Sequence, residues 1–245
     1  MIVDGISKSF DEITSFLMIG QSNMAGRGDF NEVEPITNPL CYMLRMGRWQ
    51  AMSEPVNPDR AIFNTSFHSG VNLCSSFADR FAKQFNKKIG LIPCADGGTT
   101  ISQWQEGEVL FDHAVFMAKL AMRASKLGGI LWHQGESDCN DINYPLYKER
   151  LIRMIFAIRK ALGEGDIPFI FGEVSENISS KWNLGDYPKK MNALLKEIQE
   201  EVPNCRLVSA NGLTLKPDGI HFNSVSLREF GNRYFDAYLD LVNAK

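Results

Sequence analysis

The sequence predicts an α/β fold, a three-layer α/β/α sandwich built as a single domain over residues 1–245. Two patterns carry that prediction. Four or five short apolar segments recur along the chain, each too short for a helix and each closed by Gly, Pro or a polar cluster. Between them lie longer stretches with apolar residues at helical spacing, and this alternation suits a mainly parallel sheet covered by helices on both faces.

Taken in order, the strand segments are residues 15–19, 89–94, 129–132, 167–172 and 206–208. Phe77, Phe81 and Phe85 recur every four residues and mark a first long helix. A second covers 111–126, with Val115, Leu120, Met122 and Leu127 on a broad apolar face. Pro145 suits a helix start, and the run through Leu151, Ile155, Ile158 and Leu162 ends at Gly163, the expected C-terminal cap. Residues 189–202 and 224–242 supply two more helices. The stretch 27–70 is long, rich in Pro and Asn and weakly periodic, so it is expected to form an irregular excursion over the functional site.

Composition narrows the function classes. Hydrophobic residues make up 44% and charged residues 22%, which excludes disordered and fibrous classes. With 26 basic and 29 acidic residues the formal charge is −3, and no run of Lys or Arg exceeds two, so neither nucleic acid nor an anionic membrane is an expected partner. No apolar run approaches the roughly 20 residues of a membrane span. The N-terminal stretch carries acids and lacks the basic and apolar regions of a secretory signal. Cys41, Cys74, Cys94, Cys139 and Cys205 are scattered singly, which suits neither a disulfide framework nor a zinc site. Reduced thiols in a cytoplasm are the expectation.

In parallel sheets ligands bind beyond the carboxyl ends of the strands. Gly20-Gln21-Ser22-Asn23-Met24-Ala25-Gly26 follows the first predicted strand, Ala95-Asp96-Gly97-Gly98-Thr99-Thr100 the second, and His133-Gln134-Gly135-Glu136-Ser137-Asp138 the third. Lys216-Pro217-Asp218-Gly219-Ile220-His221-Phe222 precedes the last helix. The first turn fails the Walker A pattern, because five residues separate Gly20 from Gly26 and Arg27-Gly28 follows. It fails the dinucleotide fingerprint too, and Met24 stands where the nucleophile elbow needs its last glycine.

Ser22 is well placed as a nucleophile, with its hydroxyl in the crevice and the N–H groups of a helix start beside it. Of the four histidines, His113 lies in a helical pattern, His68 in the long excursion and His133 at a strand end. Only His221 brings its own orienting acid, Asp218, three residues away. Each residue also has a purely structural reading: Ser22 as a helix N-cap, Asp218 and His221 as a surface turn, Glu136 and Asp138 as loop acids or caps, Gly97 and Gly98 as tight-turn glycines.

Together GQSNMAGRG, GGTTISQW, WHQGESD and DGIHF, in this order and spacing, give the chain a resemblance to the SGNH-hydrolase superfamily. Within it the chain resembles the sialate O-acetylesterase-like group that includes the acetylxylan esterases of carbohydrate esterase family 6, and the likeness extends from Phe16 to about Tyr234. The resemblance implies a flavodoxin-like sandwich with a five-stranded parallel sheet. It implies Ser22 as nucleophile, His221 with Asp218 as base and orienter, and an oxyanion hole made by the N–H of Ser22, an N–H of the Gly97-Gly98 turn and the amide of Gln134. Gln21 and Asn23 flank the nucleophile as supporting residues. Glu136 matches a characteristic subgroup position, either orienting His221 in place of Asp218 or holding the strand-end loops together.

These parts imply acyl transfer from an acetylated carbohydrate, xylan-type oligosaccharide or sialic acid, through an acyl-enzyme and with no cofactor or metal. Arg45, Arg48 and Trp49 of the excursion are expected to wall the crevice and restrict it to short acyl groups. The alternatives are a carbohydrate-binding domain of the same fold with little turnover, and an SGNH hydrolase of another small ester.

Overall fold

The computed structural model describes residues 13–58 and 68–243, so the N-terminal stretch 1–12 and part 59–67 of the expected excursion lie outside the described residues. The first strand, β1 (Thr14–Gly20), is buried along nearly its whole length. Its side chains alternate between two apolar layers: Phe16 and Met18 face one, Leu17 and Ile19 the other. The remaining strands are β2 (Cys41–Arg45), β3 (Arg48–Ala51), β4 (Ile89–Pro93), β5 (Lys126–His133), β6 (Phe169–Gly172) and β7 (Cys205–Val208).

They form a seven-stranded sheet in the order β3-β2-β4-β1-β5-β6-β7, parallel throughout except for the β2–β3 pair. The five predicted strands are β4, β1, β5, β6 and β7, and their order is the doubly-wound one with a switch point at β1. The expected count of five is corrected to seven. Both extra strands come from the excursion, which is therefore not irregular between Cys41 and Ala51. Arg45 pairs with Arg48 across Met46 and Gly47, both at positive φ (51° and 75°), which is the geometry of a two-residue hairpin turn. Asn or Asp usually fills the position Met46 holds, so the turn signal is half hidden in the sequence.

Among the described residues six α-helices accompany the sheet: α1 (Ser22–Ala25), α2 (Leu73–Phe85), α3 (Val109–Met122), α4 (Tyr144–Leu162), α5 (Tyr187–Glu201) and α6 (Ser224–Asn243). Pro145 stands in the first turn of α4, and Gly163 caps it in the left-handed conformation, as its spacing predicts. The core of one face draws on α2 and α6, and that of the other on α3, α4 and α5. No helix among the described residues is long and apolar enough to cross a membrane.

Helix α6 is the element that delivers the histidine-bearing turn, and it is pinned at two points. Tyr234 donates its hydroxyl to the Trp132 carbonyl of β5 at 2.8 Å. A Cβ on Gly231 would lie 1.9 Å from the Leu73 carbonyl oxygen of α2. Gly231→Ala is therefore expected to force the two helices apart and cost about 1–3 kcal/mol in urea unfolding; a variant as stable as the parent would show that this approach is not needed.

Candidate active site

The nucleophile turn begins with a backbone constraint. Gly20 has φ +131°, and a Cβ there would sit 2.1 Å from the His133 carbonyl oxygen, so only glycine lets the end of β1 lie this close to β5. Gln21 N–H then donates to that same carbonyl at 2.9 Å. The chain turns at once into α1, and three successive polar side chains leave it for three different destinations.

Gln21 Oε1 accepts from Gln134 Nε2 at 3.1 Å and from the Gly135 and Ser137 N–H groups at 3.4 Å. Ser22 Oγ lies 2.9 Å from His221 Nε2. Asn23 donates through Nδ2 to Glu136 Oε1 at 2.5 Å and to the Ile220 carbonyl at 3.3 Å, and its Oδ1 accepts from Phe222 N–H at 3.1 Å.

The other ring nitrogen, His221 Nδ1, lies 3.0 Å from Asp218 Oδ2. Asp218 Oδ1 accepts from the Ile220 and His221 N–H groups at 3.0 Å each, so the Asp-Gly turn is closed by the carboxylate that also faces the imidazole. Burial alone would raise the Asp218 carboxyl, but the two N–H groups and the imidazole outweigh it and hold it below the usual carboxylate range. Asp218 is thus kept as an acceptor. Ser22, His221 and Asp218 form one continuous chain from hydroxyl to carboxylate. His68 is exposed and His113 half buried, with no hydrogen bond to Ser22.

Among the described residues Glu136 forms no hydrogen bond with His221; its Oε1 receives Asn23 and lies 3.3 Å from His133 Nε2. Burial would raise its pKa, yet the His133 ring, the Asn23 amide and its own N–H bring it below the ordinary value. Gln134 is also placed differently from expectation. Its Nε2 has three acceptors, Gln21 Oε1, the Thr99 carbonyl at 2.9 Å and Asp138 Oδ2 at 2.5 Å, so its two amide hydrogens are taken up within the wall of the site. Among the described residues no hydrogen bond engages the N–H groups of Ser22, Gly97 or Gly98. Gly97 is buried and Gly98, at φ +75°, is exposed.

Asp138 is the residue the motif reading passes over. Its Oδ2 accepts from Ile101 N–H at 2.9 Å as well as from Gln134, which joins the loops after β4 and β5. Burial pushes its carboxyl up to about 6, against the pull of Gln134, Ile101 N–H and Arg150, with the Glu136 charge adding to the rise. Its signal in the sequence is the acid two residues after Glu136, whose neutral alternative is a loop acid.

The expected wall is not built from Arg45, Arg48 and Trp49. Arg45 Nη2 donates to the Pro55 carbonyl at 2.5 Å, Arg48 is exposed on the edge strand, and a Cβ on Gly90 would meet the Trp49 ring at 2.5 Å. Two parts of the excursion reach the loops of the site: in 27–32 the Arg27 carbonyl accepts from Lys216 Nζ and Glu32 Oε2 accepts from Ser224 N–H at 2.8 Å, and Asn57 donates to the Ala95 carbonyl at 3.1 Å and accepts from Ala95 N–H at 3.2 Å. A cavity of about 1040 Å³ lies at the opposite, amino-terminal ends of the strands, among Thr14, Lys88, Lys126 and Pro168. No group of three His, Cys, Asp or Glu side chains suited to a metal occurs among the described residues.

With this geometry in place, the chain matches the family model described as carbohydrate esterase, sialic acid-specific acetylesterase, over residues 12–240. It is 30% identical over 247 residues to a probable carbohydrate esterase of Arabidopsis thaliana, with 91% of this chain and 89% of that protein covered. The X-ray structure of that Arabidopsis protein superposes with a TM-score of 0.82 at 28% identity, covering 94% of this chain and 98% of the other. The crystal structure of NanS, 17% identical, shares the fold with a TM-score of 0.77 over 96% of this chain and 99% of that one.

The Asp138 carboxyl yields a pH prediction. Its folded pKa of about 6 lies above its ordinary 3.8, so between those values the folded state holds a proton the unfolded chain has lost, and stability falls as pH rises. Asp138→Asn keeps an acceptor for Ile101 and Gln134 and removes the titration. Its stability relative to the parent is expected to grow by about 2 kcal/mol between pH 4 and pH 7 in urea unfolding; parallel pH profiles would refute this.

Proposed function

The chain belongs to the sialic acid-specific acetylesterase family of carbohydrate esterases and is a carboxylic ester hydrolase, and from that premise we propose that it removes O-acetyl groups from a carbohydrate through Ser22, His221 and Asp218. The observation that carries the reading is the unbroken chain of contacts, 2.9 Å from Ser22 Oγ to His221 Nε2 and 3.0 Å from His221 Nδ1 to Asp218 Oδ2. In this reading Ser22 Oγ attacks the acetyl carbonyl carbon while His221 Nε2 takes its proton, and Asp218 fixes the tautomer with Nδ1–H facing the carboxylate.

The carbonyl oxygen becomes an oxyanion and needs donors. The N–H of Ser22 and an N–H of the Gly97-Gly98 turn are assigned that task, because they carry no hydrogen bond among the described residues, while Gln134 holds the loops that present them. His221 then returns the proton to the departing sugar alcohol. Water, activated by the same imidazole, cleaves the acetyl-serine and releases acetate.

Ser22→Ala is expected to lower kcat/KM for an acetyl ester by about 10⁴-fold or more without unfolding the protein. A serine-directed organophosphonate should label Ser22, and mass-spectrometric mapping of the adduct to Ser137 instead would reject the assignment.

The two acids are separated by a second comparison. Asp218→Asn removes the group that orients the imidazole and is expected to cost about 10⁴ in kcat. Glu136→Gln keeps an acceptor for Asn23 and is expected to stay within about 10² of the parent, the size of a positioning defect. The opposite order in kcat would move the orienting role to Glu136.

A further inference from the structure

The turn that carries Asp218 does not stand alone. A short 3₁₀ turn, Ser180–Trp182, rides on it through three hydrogen bonds. Ser179 N–H donates to the Gly219 carbonyl at 2.8 Å, Lys181 Nζ to the Pro217 carbonyl at 3.2 Å, and the Trp182 indole N–H to the Asp218 carbonyl at 2.9 Å. The contact is close: Gly219 has φ +70°, and a Cβ there would meet Ser179 Cβ at 2.4 Å. Trp182 is nevertheless 44% exposed. Phe30, Phe116 and Phe156 are also exposed, but only Trp182 is bonded to the turn that holds Asp218 and His221.

An indole has one polar atom, and here that atom is spent on the protein backbone. What remains for a ligand is the ring's apolar face, its orientation already fixed by the bond at its edge. The direction of proton transfer says which part of an ester comes near it. His221 Nε2 must protonate the leaving oxygen, so the leaving alcohol sits on the imidazole side of Ser22, while the acyl oxygen turns toward the Ser22 and Gly97-Gly98 N–H groups. The 216–219 turn meets the imidazole through Asp218 at Nδ1, and the 3₁₀ turn is bonded to the carbonyl of that same residue. A pyranose ring has polar edges and apolar C–H faces, which suits an exposed aromatic face held beside polar loops.

We propose that Trp182 is a platform for the sugar ring of the leaving group and sets the preference for sugar esters over simple alkyl esters. The proposal rests on the carbohydrate ester reading above. Its counterpart is that Trp182 only holds the 216–219 turn in place, a role that would act through Asp218 on every substrate alike.

The test measures kcat and KM of the parent, Trp182→Ala and Trp182→Phe on acetylated xylo-oligosaccharide and mono-O-acetylated sialic acid, with ethyl acetate as the sugar-free reference. For a platform, Trp182→Ala should raise KM for the sugar ester that the parent turns over by about 10-fold, a gap at least several times larger than any change in kcat/KM for ethyl acetate. Trp182→Phe, which keeps a ring face but loses the bond to Asp218, should recover most of the sugar preference. Equal loss of kcat on sugar and alkyl esters, in both variants, assigns Trp182 to holding the turn and overturns the proposal, as does an unchanged KM for the sugar ester. Failure of the parent itself to turn over either acetylated sugar, while hydrolysing ethyl acetate, rejects the carbohydrate reading together with the platform. A binding readout stands apart from turnover: in the Ser22→Ala background, the same sugars should perturb tryptophan fluorescence, and adding Trp182→Phe should abolish that change.

Discussion

The geometry of the site depends on one amide. Asn23 donates to Glu136 and to the Ile220 carbonyl and accepts from Phe222 N–H, so it clamps both sides of His221 to the residue that follows Ser22. The serine and histidine are 199 residues apart in sequence, and a flexible link between their turns would leave the hydroxyl and imidazole free to drift. A misplacement of about 1 Å costs on the order of 10² in rate, so such a clamp acts on chemistry without touching the reacting atoms. Gly20 sets the other half of the constraint, because it brings the end of β1 against His133 and thereby puts Gln21, Ser22 and Asn23 within reach of the loop after β5.

Glu136 and Asp138 sit in one 3₁₀ turn, both buried, yet their pKa values move in opposite directions. Desolvation acts on both. The difference lies in what each carboxylate receives. Glu136 has the Asn23 amide and the His133 ring, which favour the ionised form. Asp138 has the Gln134 and Ile101 N–H donors and the Arg150 charge, whose help falls short of the cost of burial, and the neighbouring Glu136 charge opposes its ionisation. Below about pH 6 the turn therefore keeps a single buried negative charge, on the acid that grips the turn of Ser22.

Much of this was legible in the sequence, and the exceptions have physical causes. Strands β1, β4, β5 and β6 are buried nearly throughout, so their runs are continuous and easy to read; β3 is largely exposed at the sheet edge, β2 beside it follows a polar stretch, and their turn uses Met46 where Asn or Asp is usual. Ser22, His221 and Asp218 stand together because each follows a strand end or a diagnostic turn. Gln134, by contrast, had the right chemistry for the oxyanion, but its amide is engaged by Asp138 four residues on and by the Thr99 carbonyl, which comes from a loop whose approach no local pattern encodes. The wall expected from Arg45, Arg48 and Trp49 failed for the same reason: those residues were assigned by proximity in sequence, whereas the hairpin carries them to the sheet edge.

The location of the site follows from topology. β1 lies between β4 and β5, and the chain leaves it toward one neighbour first and the other later, so the loops after β4 and β5 diverge and leave a crevice over the end of β1. Each of the three loops then has one surface to contribute. In the proposed mechanism the loop after β1 brings the hydroxyl and the loop after β4 the glycine N–H groups, while the loop after β5 binds both of the others, through Gln134 to Thr99 and Gln21 and through Glu136 to Asn23. The imidazole arrives from outside the sheet, on the turn before α6, and that is why it needs the Asn23 clamp while the strand-end groups are held by the sheet itself. On the proposed reading, the contacts that align Ser22 with His221 run through Asn23 and Asp218, and the face of Trp182 lies on an outer turn bonded to Asp218 only through its backbone carbonyl.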